Sequence, residues 1–199
     1  MPLSGRDYDE LRGLFGLGPL PQVSGQLAIA ETIPRKLVSN NAVAIATSGA
    51  MILVAIYIPQ GVPVTNISVV GGGTAEASGS HMWMALYTTD YTAGVTVAGR
   101  LLAQTTDDTG AAAIAANTVV TKALTAPQIA PYSGLYYLAL SVTATTMPTV
   151  AGITVTTNAG FQGLLPILAV TSGASLAGTA PATVGIPTSV ANIPYLFVS

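Results

Sequence analysis

Met51-Ile-Leu-Val-Ala-Ile-Tyr-Ile-Pro59, Val62-Pro-Val-Thr-Asn-Ile-Ser-Val-Val70 and His81-Met-Trp-Met-Ala-Leu-Tyr87 are three short runs rich in β-branched and aromatic residues. Pro59-Gln-Gly61 separates the first two, and Gly71-Gly72-Gly73 opens the break before the third. Runs of this composition, bounded by Pro and Gly, are consecutive strands of an all-β domain. The third run alternates cleanly. His81, Trp83, Ala85 and Tyr87 share one face, and Met82, Met84 and Leu86 share the other.

The same grammar continues on both sides. Downstream, strands are predicted at Arg100 to Thr106, Asn117 to Leu124 and Leu135 to Thr145. In the last of these, Leu135, Tyr137, Ala139 and Ser141 oppose Tyr136, Leu138, Leu140 and Val142. Asp107 to Ala116 reads as a loop, and Pro127 and Pro131 mark a crossing loop. Beyond Met147-Pro148 the pattern weakens. Ile153 to Thr157, Leu164 to Val170 and Pro194 to Ser199 are strand candidates, and Thr171 to Ser189 is a long loop or an extended arm. Upstream, Gln26 to Val38 reads as a first strand with an edge or bend at Pro34. Ala42 to Ala46 reads as the partner of Met51 to Ile58. Within the second run, Val64, Asn66, Ser68 and Val70 face away from Thr65, Ile67 and Val69. About eight short strands at this turn spacing predict an antiparallel β-sandwich, with a jelly roll the commonest arrangement.

Residues 1–38 are expected to form an N-terminal arm with a short helix, and residues 39–199 the sandwich with its extended C-terminal segment. Asp7 to Leu14 suits a short helix capped by Ser4 or Asp7, and Gly13, Gly16, Gly18, Pro19 and Pro21 stop it. Leu14, Phe15, Leu17 and Leu20 then sit on a Gly/Pro-broken backbone that cannot build its own core. They are candidate assembly contacts, lying across their own domain or docking on another subunit.

Composition narrows the function classes. Only 7% of the residues are charged, against roughly 25% in ordinary soluble domains. Eight charges fall within the first 36 residues, and none follows Lys122. A surface so poor in charge must be covered by hydroxyls and amides or buried against other subunits. A net charge of −2 and six scattered basic residues argue against nucleic-acid binding. There is no cysteine, so a disulfide framework is ruled out. The polar, acidic N-terminus lacks the pattern of a secretory signal. Ala42 to Ile58 is the most membrane-like stretch, but Thr47-Ser48-Gly49 interrupts it. Two strands meeting there explain it better than a span.

No catalytic constellation emerges, and neither a cofactor nor a metal is expected. The single histidine, His81, sits at a strand start with no nucleophile turn beside it. Asp107 and Asp108 are adjacent loop carboxylates without the spacing of a calcium loop. Gly71-Gly72-Gly73 lacks the lysine and helix of a phosphate loop. Trp83, Tyr87, Tyr136 and Tyr137 suit either a core or a sugar-stacking platform, and Trp83 and Tyr136 are the candidate glycan contacts.

Tyr57-Ile-Pro-Gln-Gly61, Val64-Thr-Asn-Ile67, His81-Met-Trp-Met-Ala-Leu-Tyr87, Leu101-Leu-Ala-Gln-Thr105 and Tyr132-Ser-Gly-Leu-Tyr-Tyr137 occur in an order that resembles virion structural proteins of tailed phages infecting actinobacteria. The resemblance covers roughly Tyr57 to Pro148 and rests on structural motifs. It implies a β-sandwich on the exterior of a phage particle. The leading expectation is a non-enzymatic capsid decoration (cement) protein, bound through its arm to the major capsid protein and associated with itself as a homotrimer. The alternatives are a minor tail or tail-tip protein in contact with tail proteins, and a carbohydrate-binding module contacting host cell-wall glycan.

Overall fold

The computed structural model describes residues 28–89, 99–110, 112–155, 169–185 and 188–199. Within them lie fourteen strands. They are β1 (Ala30–Glu31), β2 (Asn40–Ala44), β3 (Met51–Ile58), β4 (Pro63–Val70), β5 (Ala77–Thr88), β6 (Gly99–Gln104) and β7 (Val119–Ile129), followed by β8 (Gly134–Thr146), β9 (Thr149–Thr154), β10 (Ala169–Ser172), β11 (Thr183–Val184), β12 (Thr188–Ser189), β13 (Asn192–Pro194) and β14 (Leu196–Val198).

The long central strands pair as their alternation demands. β8 lies antiparallel between β3 and β5, and the seven-stranded sheet runs β11-β6-β5-β8-β3-β10-β12. A four-stranded sheet, β1-β14-β4-β7, and a three-stranded one, β13-β9-β2, make up the opposing side. The C-terminal residues join these two smaller sheets. Asn192–Pro194 pairs with β9, and Leu196–Val198 goes on to pair with β4. Between them, the Tyr195 N–H donates to the Ala151 carbonyl at 2.8 Å. The core fills the space between the layers. Ile52, Val54 and Ile56, Met82, Met84 and Leu86, and Tyr136, Leu138, Leu140 and Val142 meet Val64, Ile67, Val69, Val150, Leu196 and Val198. The protein is an all-β antiparallel sandwich, as the strand pattern predicts.

Several local expectations are corrected. β2 pairs with β9, not with β3, because the chain changes layer at Thr47-Ser48-Gly49. Gly49 has φ +76°, where a side chain would be strained, and an added Cβ would lie 3.1 Å from the Ser175 backbone. The alternation expected along β4 slips by one residue at a β-bulge between Val64 and Asn66. Val64, Ile67 and Val69 therefore all point into the core. At the bulge, the Thr65 and Asn66 N–H groups both donate to the Ser199 carbonyl at 2.8 Å. The β7 strand runs through Pro127 to Ile129, so the crossing loop begins later than Pro127 suggests.

The boundary between arm and sandwich also moves. Of the strand expected over Gln26 to Val38, the described part, residues 28–38, holds only β1, which pairs with β14, and Pro34 opens a short 3₁₀ turn. Ala28 and Ile33 are buried in the sandwich core. The first described residues are thus part of the domain, not of an arm ending at Val38. The expected helix and Leu14, Phe15, Leu17 and Leu20 lie outside the described residues.

Candidate functional site

The seven-stranded sheet buries both of its faces. On the side away from the sandwich core, Met51, Leu53 and Ala55 lie beside Trp83, Ala85, Tyr87, Tyr137 and Ala139. Residues 173–185 cross this face and close it. The Trp83 indole N–H donates to the Ala177 carbonyl at 2.7 Å, and the Tyr87 hydroxyl to the Pro181 carbonyl at 2.9 Å. The Ala180 N–H donates to Gln104 Oε1 at 2.8 Å. Burial pushes the Tyr87 phenol well above its ordinary pKa. Small residues suit this strap, because its backbone must approach two large rings closely enough for its carbonyls to accept from them.

That arrangement corrects the glycan expectation. Trp83 and Tyr136 are each 0% exposed, and they lie on opposite faces of the same sheet. Tyr136 stacks on Tyr132 with ring centroids 4.8 Å apart and donates its hydroxyl to the Tyr132 carbonyl at 2.7 Å. Neither ring offers a free face for a sugar. Both act as core.

The polar chemistry gathers instead at the edge of β5, where the loop after β6 returns to it. Asp108 forms a backbone bridge with Met82, with N–H to O distances of 2.8 and 2.9 Å. Asp107 receives the Met82 N–H at 3.1 Å and lies 2.6 Å from His81 Nδ1. Asp108 accepts from the Gly110 N–H at 2.9 Å and is ion-paired with Lys122 on β7. Those two contacts, Lys122 first, hold its carboxyl below the ordinary range.

Glu76 completes the cluster from the loop before β5. It is 2% exposed. Its backbone N–H donates to the Ile114 carbonyl at 2.9 Å, and its Oε2 accepts from the Ile114 N–H at 3.2 Å. Its Oε1 has no hydrogen-bond partner. Burial raises the Glu76 pKa, and the nearby Asp108 charge adds to the shift. Together these contacts pin Ile114, fully buried, against the core.

Among the described residues no group of three or more His, Cys, Asp or Glu side chains is placed to hold a metal ion. A groove of about 480 Å³ between the Ile45–Ala50 turn and β10 is lined by Ala46, Thr171, Ser172 and Val190 among others, with no titratable group. It has no means of general acid or base chemistry. No helix among the described residues is long and apolar enough to cross a membrane.

Nothing in the sequence brings Glu76, Asp108 and Lys122 together. The one signal present is a solitary glutamate in a Gly/Ser-rich loop, a residue with no obvious partner nearby in the chain. No protein-family model and no curated protein matches this chain.

Proposed function

We propose that this chain is a non-enzymatic structural protein of a phage virion, a capsid decoration protein on the particle exterior, held to the shell through its N-terminal arm and associated with itself as a homotrimer. The observation that supports this reading is the disposition of charge. Glu31 pairs with Arg35, Asp108 with Lys122 and Asp107 with His81, while Glu76 is buried. Among the described residues the rest of the exterior is largely uncharged, with Lys36 and Arg100 exposed, and it also carries Leu37, Tyr57, Val119, Ile129 and Val155 as exposed apolar side chains. Such a surface suits permanent assembly, in which apolar interfaces are normal.

Gold-labelled antibody raised to residues 41–199 tests the placement on purified particles. Label across the head supports decoration, label confined to the tail tip makes it a tail protein, and no label on any particle refutes the virion reading. An arm deletion must stop before Ala28, which is buried in the core. Removal of residues 1–27 is expected to leave the sandwich folded and abolish attachment; retained attachment would refute the arm's role.

A further inference from the structure

We propose that Lys122 and Asp108 condense into an intramolecular amide, joining Nζ to Cγ with loss of one water, and that Glu76 relays the protons. This covalent site goes beyond the virion reading and stands without it.

Three features of the cluster carry the inference. First, the amine and the carboxyl group are in direct contact, and both backbones are fixed. Asp108 is bridged to Met82 on β5, and Lys122 is paired with Ile67 on β4. Such fixed proximity replaces a bimolecular encounter with an intramolecular one. Second, Glu76, whose Oε1 is buried without a hydrogen-bond partner, lies near enough to Asp108 to feel its charge. A Cβ on Gly79 would lie 1.7 Å from Glu76 Oε1 and 3.3 Å from the Gly110 carbonyl oxygen, and one on Gly110 would lie 2.9 Å from Asp108 Oδ1. Glycines at 79 and 110 thus make room for the two carboxyl groups. Third, the bond would tie β7 to the β5–β6 edge, where the described strands share a single isolated backbone bridge, Thr105–Leu124. It would staple the two layers in a chain that has no cysteine to do so.

The atoms balance. The resting pair is an ammonium and a carboxylate. One proton passes from Nζ to Asp108, leaving a neutral amine opposite a neutral acid. The nitrogen lone pair attacks Cγ to form the C–N bond, and the C–O bond to the departing hydroxyl breaks. Glu76 in its acid form protonates that hydroxyl, which leaves as water, and recovers a proton from the nitrogen. One N–H remains on the amide, no oxidant is needed, and Glu76 ends as it began. Burial favours the acid form that this relay requires. The ion pair holds Asp108 largely ionised, so the neutral pair is a minor species and the reaction is slow, which a single irreversible event tolerates.

Mass spectrometry of the purified, denatured full chain tests this. The wild-type protein is expected one water lighter than its sequence mass. No Lys or Arg follows Lys122, so trypsin ordinarily separates residues 101–122 from residues 123–199. With Lys122 amidated, residues 101–199 remain a single product. Lys122→Arg keeps a cation opposite Asp108 but has no amine to acylate. That variant is expected to fold, to show the full sequence mass and to be cut by trypsin after position 122. Glu76→Gln is expected to remain folded by circular dichroism and, followed by mass after refolding, to cross-link on the order of a hundredfold more slowly. Folded wild-type protein of full mass, cleaved after Lys122 even after prolonged incubation, overturns the proposal. A water lost equally from Lys122→Arg places the dehydration elsewhere, such as a cyclic imide at an aspartate, and overturns it too. Cross-linking at the wild-type rate in Glu76→Gln overturns the relay role.

Discussion

Replacing Trp83 by alanine tests whether the strap is packed or merely adjacent. The indole is 0% exposed between the seven-stranded sheet and residues 173–185, and its N–H is the donor to the Ala177 carbonyl. Truncating a large buried aromatic side chain costs roughly 3–5 kcal/mol, the spread depending on how far the site collapses. The abandoned carbonyl adds about 1 kcal/mol if water cannot reach it. For a chain of this length each kcal/mol moves the melting midpoint by roughly 2–4 °C, so a fall of about 10 °C or more is expected. Calorimetry or a urea titration reads it, with Tyr57→Ala as control, because Tyr57 is 57% exposed. That control is expected to shift stability by less than about 0.5 kcal/mol. A Trp83→Ala loss under about 1 kcal/mol would refute the closed face and reopen a surface role for the ring.

Two further outcomes follow from close packing and from the phenols. Gly152→Ala is expected to destabilise by about 1–3 kcal/mol, since the added Cβ would meet the Ile193 carbonyl oxygen at 2.3 Å, backbone that cannot swing aside. Chemical denaturation reads this directly, and an unchanged midpoint would show that β9 and β13 lie farther apart. Burial, with the nearby Glu31 charge, pushes the Tyr195 phenol up to about 12 from its ordinary 10. The folded chain therefore holds the phenol neutral, and its contribution is complete below pH 10 and lost as pH climbs through about 12. Denaturation midpoints measured across that window should fall in wild type and fall less in Tyr195→Phe. An equal decline in both would assign the alkaline loss to other groups.

The parts of the fold legible in sequence are those where side-chain alternation survives. In β5 from His81 onward and in β8, period two holds, so the sequence places Trp83 and Tyr87 on one face and Met82 and Met84 on the other, as the structure has them; only the start of β5, before His81, slips register against β8. β3 reads as a solid apolar run because both of its faces are covered, which hides its orientation while marking it as central. The bulge in β4 is invisible because Thr65 and Asn66 fit either phase; in the fold both of their N–H groups converge on the Ser199 carbonyl. The pairing of β2 is hidden for a related reason. Proximity in sequence favours a hairpin with β3, but Gly49 turns the chain into the other layer. The strap leaves little side-chain signature, since its bonds to Trp83, Tyr87 and Gln104 run through backbone groups and only Leu176, Ala180 and Val184 pack against the sheet. Glu76, Asp108 and Lys122 stand far apart along the chain, and only the sheet topology brings them together.

The closed outer face changes what the composition means. A mean hydropathy of +0.61, taken alone, points to apolar surface buried between subunits. Much of that excess is consumed within the chain, because the large sheet is covered by the smaller sheets on one face and by residues 173–185 on the other, and needs apolar side chains on both. Trp83, Tyr87, Tyr137, Met51 and Leu53 would be surplus in a two-layer sandwich, and here they are a second core. High hydropathy is therefore a weak pointer to assembly. The scarcity of charge is the stronger one. Internal packing explains why a residue is apolar, but it does not explain why exposed positions carry threonine or alanine in place of lysine or glutamate. Apart from Glu76, the described carboxylates are also drawn into contacts with basic side chains at the sheet margins, so among the described residues little unpartnered negative charge remains to keep separate copies apart. Under the proposed decoration role that exterior would fit a fixed place in a lattice, and an amide staple between its layers would serve the same end by holding them together where no disulfide can.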